Sequence, residues 1–281
     1  MALVRHAREA EIGEICDFLT THMDPSLNKD RFRNLFTYPW MADKPNLGFV
    51  LEVDGRIAGF LSTIYGDREV NGRMERFCNL SSWCVLPEHR NHSLSLLSAA
   101  HREGDFVFTN LTSRPAVEKI SLALRYQVLD TYKLFAFPGT HLSTLFRFPW
   151  PKLLFRPEQI QPLLAPRHQQ FLRDHLGTRC RHILLCRGKR YCYIIWIRRV
   201  KKSIPFCELL FVSDPELLRD HFELVKLAIC LRGMAFLLAV DERLLGRRMP
   251  LLYPYRRVTL FKASRAGRMD IDNLYSELAL L

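Results

Sequence analysis

The sequence predicts an α/β protein built on a mixed sheet, with two similar lobes in tandem. Three observations predict it. At 281 residues the chain is long enough for two cores of ordinary size. From Asn79 to Ala100 it passes from a strand pattern, through Pro87, into a helical one. The order hairpin, strand, proline, helix, strand then recurs in the second half. Gly55 to Pro87 spans 32 residues in the first copy, and Gly188 to Pro215 spans 27 in the second.

Composition sets the outer bounds. Hydrophobic content of 48% with 25% charged residues is that of a globular protein. The most apolar runs, such as 183–197, are interrupted by Arg187, Lys189 and Arg190, so no membrane-spanning helix is expected. Residues 1–10 hold Arg5, Arg8 and Glu9 around His6 and do not read as a secretory leader. Eight cysteines occur without any C-x-x-C pair, which argues against structural zinc and a disulfide framework. Buried thiols in a reducing cytoplasm, with no metal, are the expectation. Charge is divided unevenly. Residues 1–150 carry 17 basic and 17 acidic side chains, whereas residues 151–281 carry 24 and 12. The whole excess of +12 lies in the second half, which suits an anionic partner or a solvated basic surface.

Taken in order, residues 3–7 read as a first strand. Ile12, Ile15, Cys16 and Leu19 then recur at helical spacing, with acidic residues at the start of the run. A second helical patch covers residues 29–36. Residues 48–64 are the clearest hairpin, with Asp54-Gly55 between two apolar runs. Residues 77–85 continue the sheet, 105–110 form the next strand, 114–124 a helix with Pro115 in its first turn, and 126–129 a further strand.

Chemistry concentrates after the 77–85 strand. Pro87 ends its ladder, and a charged corner (Glu88, His89, Arg90) and small polar residues lead into an apolar helical run. Such a corner leaves N–H groups free at the helix start, where orphan donors and the positive dipole end favour an anion.

Val85-Leu86-Pro87-Glu88-His89-Arg90-Asn91-His92-Ser93-Leu94-Ser95 resembles the signature of the GNAT superfamily of acyl-CoA-dependent N-acyltransferases, Val-x-Pro-x-x-Arg-(small)-x-Gly-x-(Gly/Ala). The preceding order of strand, two helices, hairpin and strand is that family's order as well. The resemblance covers residues 3–130. It implies that Arg90 and the backbone of Asn91, His92, Ser93, Leu94 and Ser95 hold a coenzyme A pyrophosphate. It also implies that a backbone N–H near Trp83, Cys84 and Val85 bonds the thioester carbonyl, and that acetyl-CoA or another acyl-CoA is the co-substrate. Two departures stand out. Serines occupy both usual glycine positions, and serine tolerates φ > 0 poorly. The helix at 114–124 has no tyrosine to protonate the leaving thiolate, and Ser121 falls at that place. A thiolate is a tolerable leaving group unaided, because free thiols titrate around 8.5. An amine acceptor must be neutral to attack, so a base or a water chain is needed. Glu75, before the signature, and Glu88 or His89 within it are the candidates.

Residues 135–156 change character, with three prolines, many aromatics and few charges, and read as an extended connector between lobes at 1–134 and 157–281. In the second lobe 157–176 reads as helical, 182–200 as a hairpin turning at Gly188-Lys189, 207–212 as a strand, 217–231 as a helix and 233–240 as a strand. Residues 273–281 read as a terminal element packed on that lobe. No Arg-(small)-x-Gly loop follows Pro215, and Glu216 and Asp220 would repel a pyrophosphate there. The second lobe is therefore expected to share the fold without binding coenzyme A, and to shape the site of an amine acceptor, small molecule or protein.

Other chemistries lack a motif. There is no G-x-S-x-G elbow, no Walker A loop and no G-x-G-x-x-G. Arg198-Arg199, Lys201-Lys202, Arg247-Arg248 and Arg256-Arg257 with Tyr253 and Tyr255 could track phosphates, but no nucleic-acid module accompanies them. Nucleic-acid binding therefore ranks below acyl transfer. The alternatives to an enzyme are a catalytically silent relative and a polyanion-binding module built on the basic half.

Overall fold

A computed structural model describes residues 2–246 and 249–281; the Arg247-Arg248 pair lies outside them. In chain order the elements are β1 (Ala2–His6), α1 (Ile12–His22), α2 (Lys29–Arg33), β2 (Phe49–Val53), β3 (Arg56–Val70), β4 (Arg73–Val85), α3 (Ser93–Arg102), β5 (Val107–Asn110), α4 (Pro115–Ala123) and β6 (Gln127–Ala136). There follow β7 (Lys152–Leu154), α5 (Pro157–Ile160), α6 (Pro166–His175), β8 (Arg181–Arg187), β9 (Arg190–Lys201), β10 (Ile204–Val212), α7 (Pro215–Asp220), α8 (Phe222–Gly233), β11 (Leu237–Asp241), α9 (Glu242–Leu245), β12 (Tyr253–Lys262) and α10 (Glu277–Leu280). None of the described helices is long and apolar enough to cross a membrane.

The chain forms two compact units. The first holds residues 1–127, 259–271 and 275–281, and the second 128–258 and 272–274. In the first, the strands run β1, β2, β3, β4, β5 and the end of β12; β4 and β5 are parallel and the rest antiparallel. In the second, they run β7, β8, β9, β10, β11 and β6, again with one parallel pair, β10 with β11. The two units therefore repeat one topology, with their last strands exchanged. β6 follows the first unit's helices in sequence but pairs with β11, while β12 returns to pair with β5. This exchange corrects the expected boundaries. The first unit ends at 127 rather than 134, residues 135–156 belong wholly to the second, and the tail packs on the first.

Local causes match the sequence. Asp54 and Gly55 both take positive φ in the β2–β3 turn, as do Asn71 and Gly72 between β3 and β4. α1 buries Ile15, Cys16, Phe18 and Leu19 against Phe60 and Ile64 of β3, and Leu280 of the tail joins the same core. Gly66 lets the tail approach, since a Cβ there would meet the Tyr275 ring at 2.8 Å. The second core gathers Ile183, Ile194, Trp196, Leu209, Phe222 and Val225. Two elements differ from the expected reading. The 217–231 helix is two helices, α7 and α8, broken at His221 (φ −121°). Residues 157–176 are α5, a 3-10 turn and α6, interrupted at Pro162 and Pro166.

The second unit also contains a buried ion network. Glu208, fully buried, meets Lys133 at 2.8 Å, Arg257 at 3.0 Å and Arg199 at 3.5 Å, and Lys133 also bonds Asp241. Burial alone would raise the Glu208 pKa; the surrounding cations outweigh it and hold the group well below the usual carboxylate range. Arg199 and Arg257 are thus partly internal, and Arg198 donates to the Gly233 carbonyl at 2.8 Å. Part of the second half's basic excess is spent inside the fold rather than offered to a polyanion.

Candidate active site

The site is built where β4 leaves β5. The two strands pair at Phe77–Val107, Cys78–Phe108 and Asn79–Thr109. Further along, β4 carries an extra residue against β3: Ser62 faces Ser81 and Phe60 faces Cys84, so Ser82 and Trp83 oppose Leu61 alone. Ser82 takes φ +48° at this bulge. A bulge re-aims the strand and ends its ladder, which frees backbone beyond Ser81 for a ligand. The Trp83 Nε1 donor is buried and has no hydrogen-bond partner among the described residues.

A polar cluster closes the base of this opening. Asn79 Nδ2 donates to Thr109 Oγ1 at 3.0 Å, and Thr112 Oγ1 donates to Glu277 Oε1 at 2.6 Å. The Glu277 amide lies 3.4 Å from Asn79 Oδ1. Glu277 is nine-tenths buried and arrives on the C-terminal tail, next to the last β4–β5 pair. Sequence reasoning missed it, because nothing local assigns the tail to the first unit. The one visible signal was Asn79, a polar residue inside the apolar strand run.

The corner after β4 differs from the expectation of an open amide cradle. Residues 87–92 wind as 3-10 turns straight into α3. The amide of His89 bonds the Leu86 carbonyl at 3.0 Å, and that of Ser93 bonds the Arg90 carbonyl. With Ser93 in the right-handed region (φ −61°, ψ −37°) no left-handed kink opens the loop, as a glycine would permit. Side chains therefore supply the positive charge left in this corner. Arg90 and Asn91 are exposed, and Asn91 Nδ2 lies 3.2 Å from His92 Nε2. Arg114, the residue capping α4, faces the same place: burial raises the Cys84 thiol pKa, and the charges of Arg114 and Arg90 both oppose that rise. Leu94 and Ser95 are exposed on α3.

The remaining sequence candidates are dispersed. Glu75 pairs with Arg68 across β3, seven residues before the bulge, about 20 Å along an extended strand. It is beyond direct reach of the opening. Glu88 is exposed in the 3-10 turn. Ser121 is buried on α4, its carbonyl accepting the amides of Leu124 and Tyr126. Tyr126, after the helix, turns its hydroxyl to His101 Nε2 at 2.8 Å.

The equivalent place in the second unit is filled by the chain itself. β10 carries a matching bulge at Leu210, whose carbonyl accepts the Asn273 amide at 3.0 Å, and Asn273 Nδ2 donates to Asp241 at 2.7 Å. Asp214 caps α7 through the Leu217 amide and pairs with Arg190, so a carboxylate already occupies that helix start.

No family model and no curated protein matches the sequence. Solved structures do match in fold. A GCN5-related N-acetyltransferase from Anabaena variabilis has a TM-score of 0.60 at 10% identity, over 94% of this chain and 73% of that one. One from Kribbella flavida has 0.60 at 10%, over 94% and 71%. A putative acetyltransferase from Pyrococcus horikoshii has 0.57 at 10%, over 97% and 93%. With the repeated strand order and the bulged fourth strand of each unit, these likenesses establish that the chain has the GCN5-related N-acetyltransferase fold, in two tandem copies.

Proposed function

We propose that the chain is an acyl-CoA-dependent N-acyltransferase whose site is the β4–β5 opening of the first unit. The observation that supports this reading is the bulge at Ser82, just beyond the Asn79–Thr109 pair where the β4–β5 ladder ends. The residues present suit an acyl-CoA. Arg90 and Arg114 would hold its phosphates through guanidinium contacts, and the β4 backbone from Trp83 to Val85 would bond the thioester carbonyl. Amine attack on a thioester asks the protein mainly for positioning and for donors at the developing oxyanion. Glu277, whose carboxylate accepts from Thr112 beside the last β4–β5 pair, would accept the amine proton, directly or through a water, in place of Glu75 or Glu88. Ser121, buried on α4 with no tyrosine beside it in that helix, implies that the thiolate departs without a dedicated acid.

The test is thiol release from acetyl-CoA and longer acyl-CoAs across a panel of amino sugars, amino acids and peptide amines. Turnover with at least one amine, reduced about a hundredfold or more in Glu277→Gln, is the expected result; no release with any pair overturns the catalytic reading. A second reading, an acyl-CoA site without turnover, is favoured by the wound 87–92 corner and the tyrosine-free α4. It predicts acyl-CoA binding with no thiol release.

A further inference from the structure

The second unit contains a cavity that the acyltransferase reading does not use. Its volume is about 410 Å³, within the range of small-molecule sites. It lies among the start of β8, the middle of β9, the C-terminal end of α8 and the start of α5. Phe155, Pro157, Leu176 and Trp196 supply apolar walls, and Arg181, Arg232 and His182 supply the polar groups.

The two arginines have spare capacity. Arg181 and Arg232 are exposed, and neither pairs with a carboxylate among the described residues. Both are held over aromatic rings instead, Arg232 at 3.5 Å from the Phe155 centroid and Arg181 at 5.3 Å from Trp196, and Arg181 also donates to the Arg232 carbonyl at 2.8 Å. A guanidinium stacked in this way keeps its N–H edge for an anion. His182 Nδ1 lies 2.8 Å from the Tyr193 hydroxyl, while its Nε2 is buried without a partner, as is Trp196 Nε1. Tyr193 satisfies its own proton best by donating to Nδ1, which leaves Nε2 as the N–H. Burial lowers the His182 pKa to about 4, with His175 adding to the effect, so the ring is neutral at pH 7. Two stacked guanidinium groups beside an apolar hollow form a site for an anion.

We propose that this cavity binds a one- or two-ring aromatic carboxylate, the ring lying between Phe155, Leu176 and Trp196 and the carboxylate meeting Arg181 and Arg232. Glycine at 233 is part of the construction. A Cβ there would meet Cys207 Sγ at 2.3 Å and Trp196 Cζ3 at 3.2 Å, so α8 reaches the Trp196 ring only without a side chain at that position.

The experiment is calorimetric titration of the full chain with 2-naphthoate and with its neutral amide, beside an Arg181→Gln/Arg232→Gln double variant. Both arginines are exposed, so glutamine leaves the core intact, which a melting curve checks. The acid is expected to bind at least about tenfold more tightly than the amide, since charge-assisted bonds are lost with the charge. The double variant is expected to lose at least about tenfold of the acid affinity, with acyl-CoA binding unchanged. The acid–amide comparison on the unaltered chain stands even if the variant misfolds. Equal affinity for acid and amide, no binding of 2-naphthoate up to its solubility, or undiminished affinity in a folded double variant would each overturn the proposal.

Discussion

Replacing Glu208 tests the buried ion network and its pH dependence together. The carboxylate is fully buried and meets three cations, Lys133 at 2.8 Å, Arg257 at 3.0 Å and Arg199 at 3.5 Å. Removing one member of a buried pair costs about 3–5 kcal/mol, because the other charge is left uncompensated. Glu208→Gln falls at the lower end, about 3 kcal/mol. Lys133 keeps Asp241, and Arg199 and Arg257 retain side-chain exposures of 30% and 20% through which water can reach them. Lys133→Met falls at the upper end, about 5 kcal/mol: Glu208 keeps Arg257 and Arg199 and Asp241 keeps Arg243 at 3.4 Å, but the two carboxylates lose the buried cation that bridges them. The pH dependence follows from the depressed pKa of Glu208. Its contribution is fully present above the unfolded carboxylate value of 4.5 and is lost as pH falls below it toward the folded value. Urea unfolding at pH 7 and at pH 3.5 is the assay, with the second unit's transition read separately if the two units melt apart. Losses under 1 kcal/mol for both variants, or the reverse order, would refute the reasoning.

Other predictions follow from single contacts. Gly66→Ala drives a Cβ into the Tyr275 ring at 2.8 Å, so the tail should loosen and become a site of limited proteolysis while the two cores stay folded; resistance equal to the unaltered chain would contradict that contact. The eight thiols should be largely inert in the native state, because six are buried and burial pushes Cys180, Cys192 and Cys207 up to about 12 and Cys230 to about 11. Thiol titration at pH 8 should label at most the two half-buried ones, Cys84 and Cys186, before denaturant exposes all eight. Ser82→Gly should be tolerated and Ser82→Val should cost about 1–2 kcal/mol, since φ +48° suits glycine and strains a β-branched residue; equal stability of the two would contradict the bulge.

Much of this fold was legible because local chemistry agrees with global topology. Asp54-Gly55 announced its hairpin, Pro87 marked where β4 ends, and the recurrence around Gly188 and Pro215 disclosed the second copy. The strand exchange was not legible. The pattern of β12 fixes a strand and a buried face but carries no information on which neighbour it pairs with, and β6 has the same ambiguity. Glu277 escaped for the same reason, since its role depends on where the tail docks. Lys133, Glu208 and Asp241 read as surface charges in any sequence window, because single charges inside strands reveal their burial only when three strands come together. The 87–92 corner was half legible: the motif gave its place, and its two serines gave the reason it stays wound rather than opening.

The measurement that bears most directly on the central claim is calorimetric binding of acetyl-CoA and longer acyl-CoAs to the purified chain, beside Arg90→Glu and Arg114→Glu. Binding to the unaltered chain and a loss of at least about tenfold in each variant are expected, because a charge-assisted phosphate contact becomes a repulsion. Absence of binding by every acyl-CoA to a well-folded chain would contradict that claim, as would affinity indifferent to both reversals.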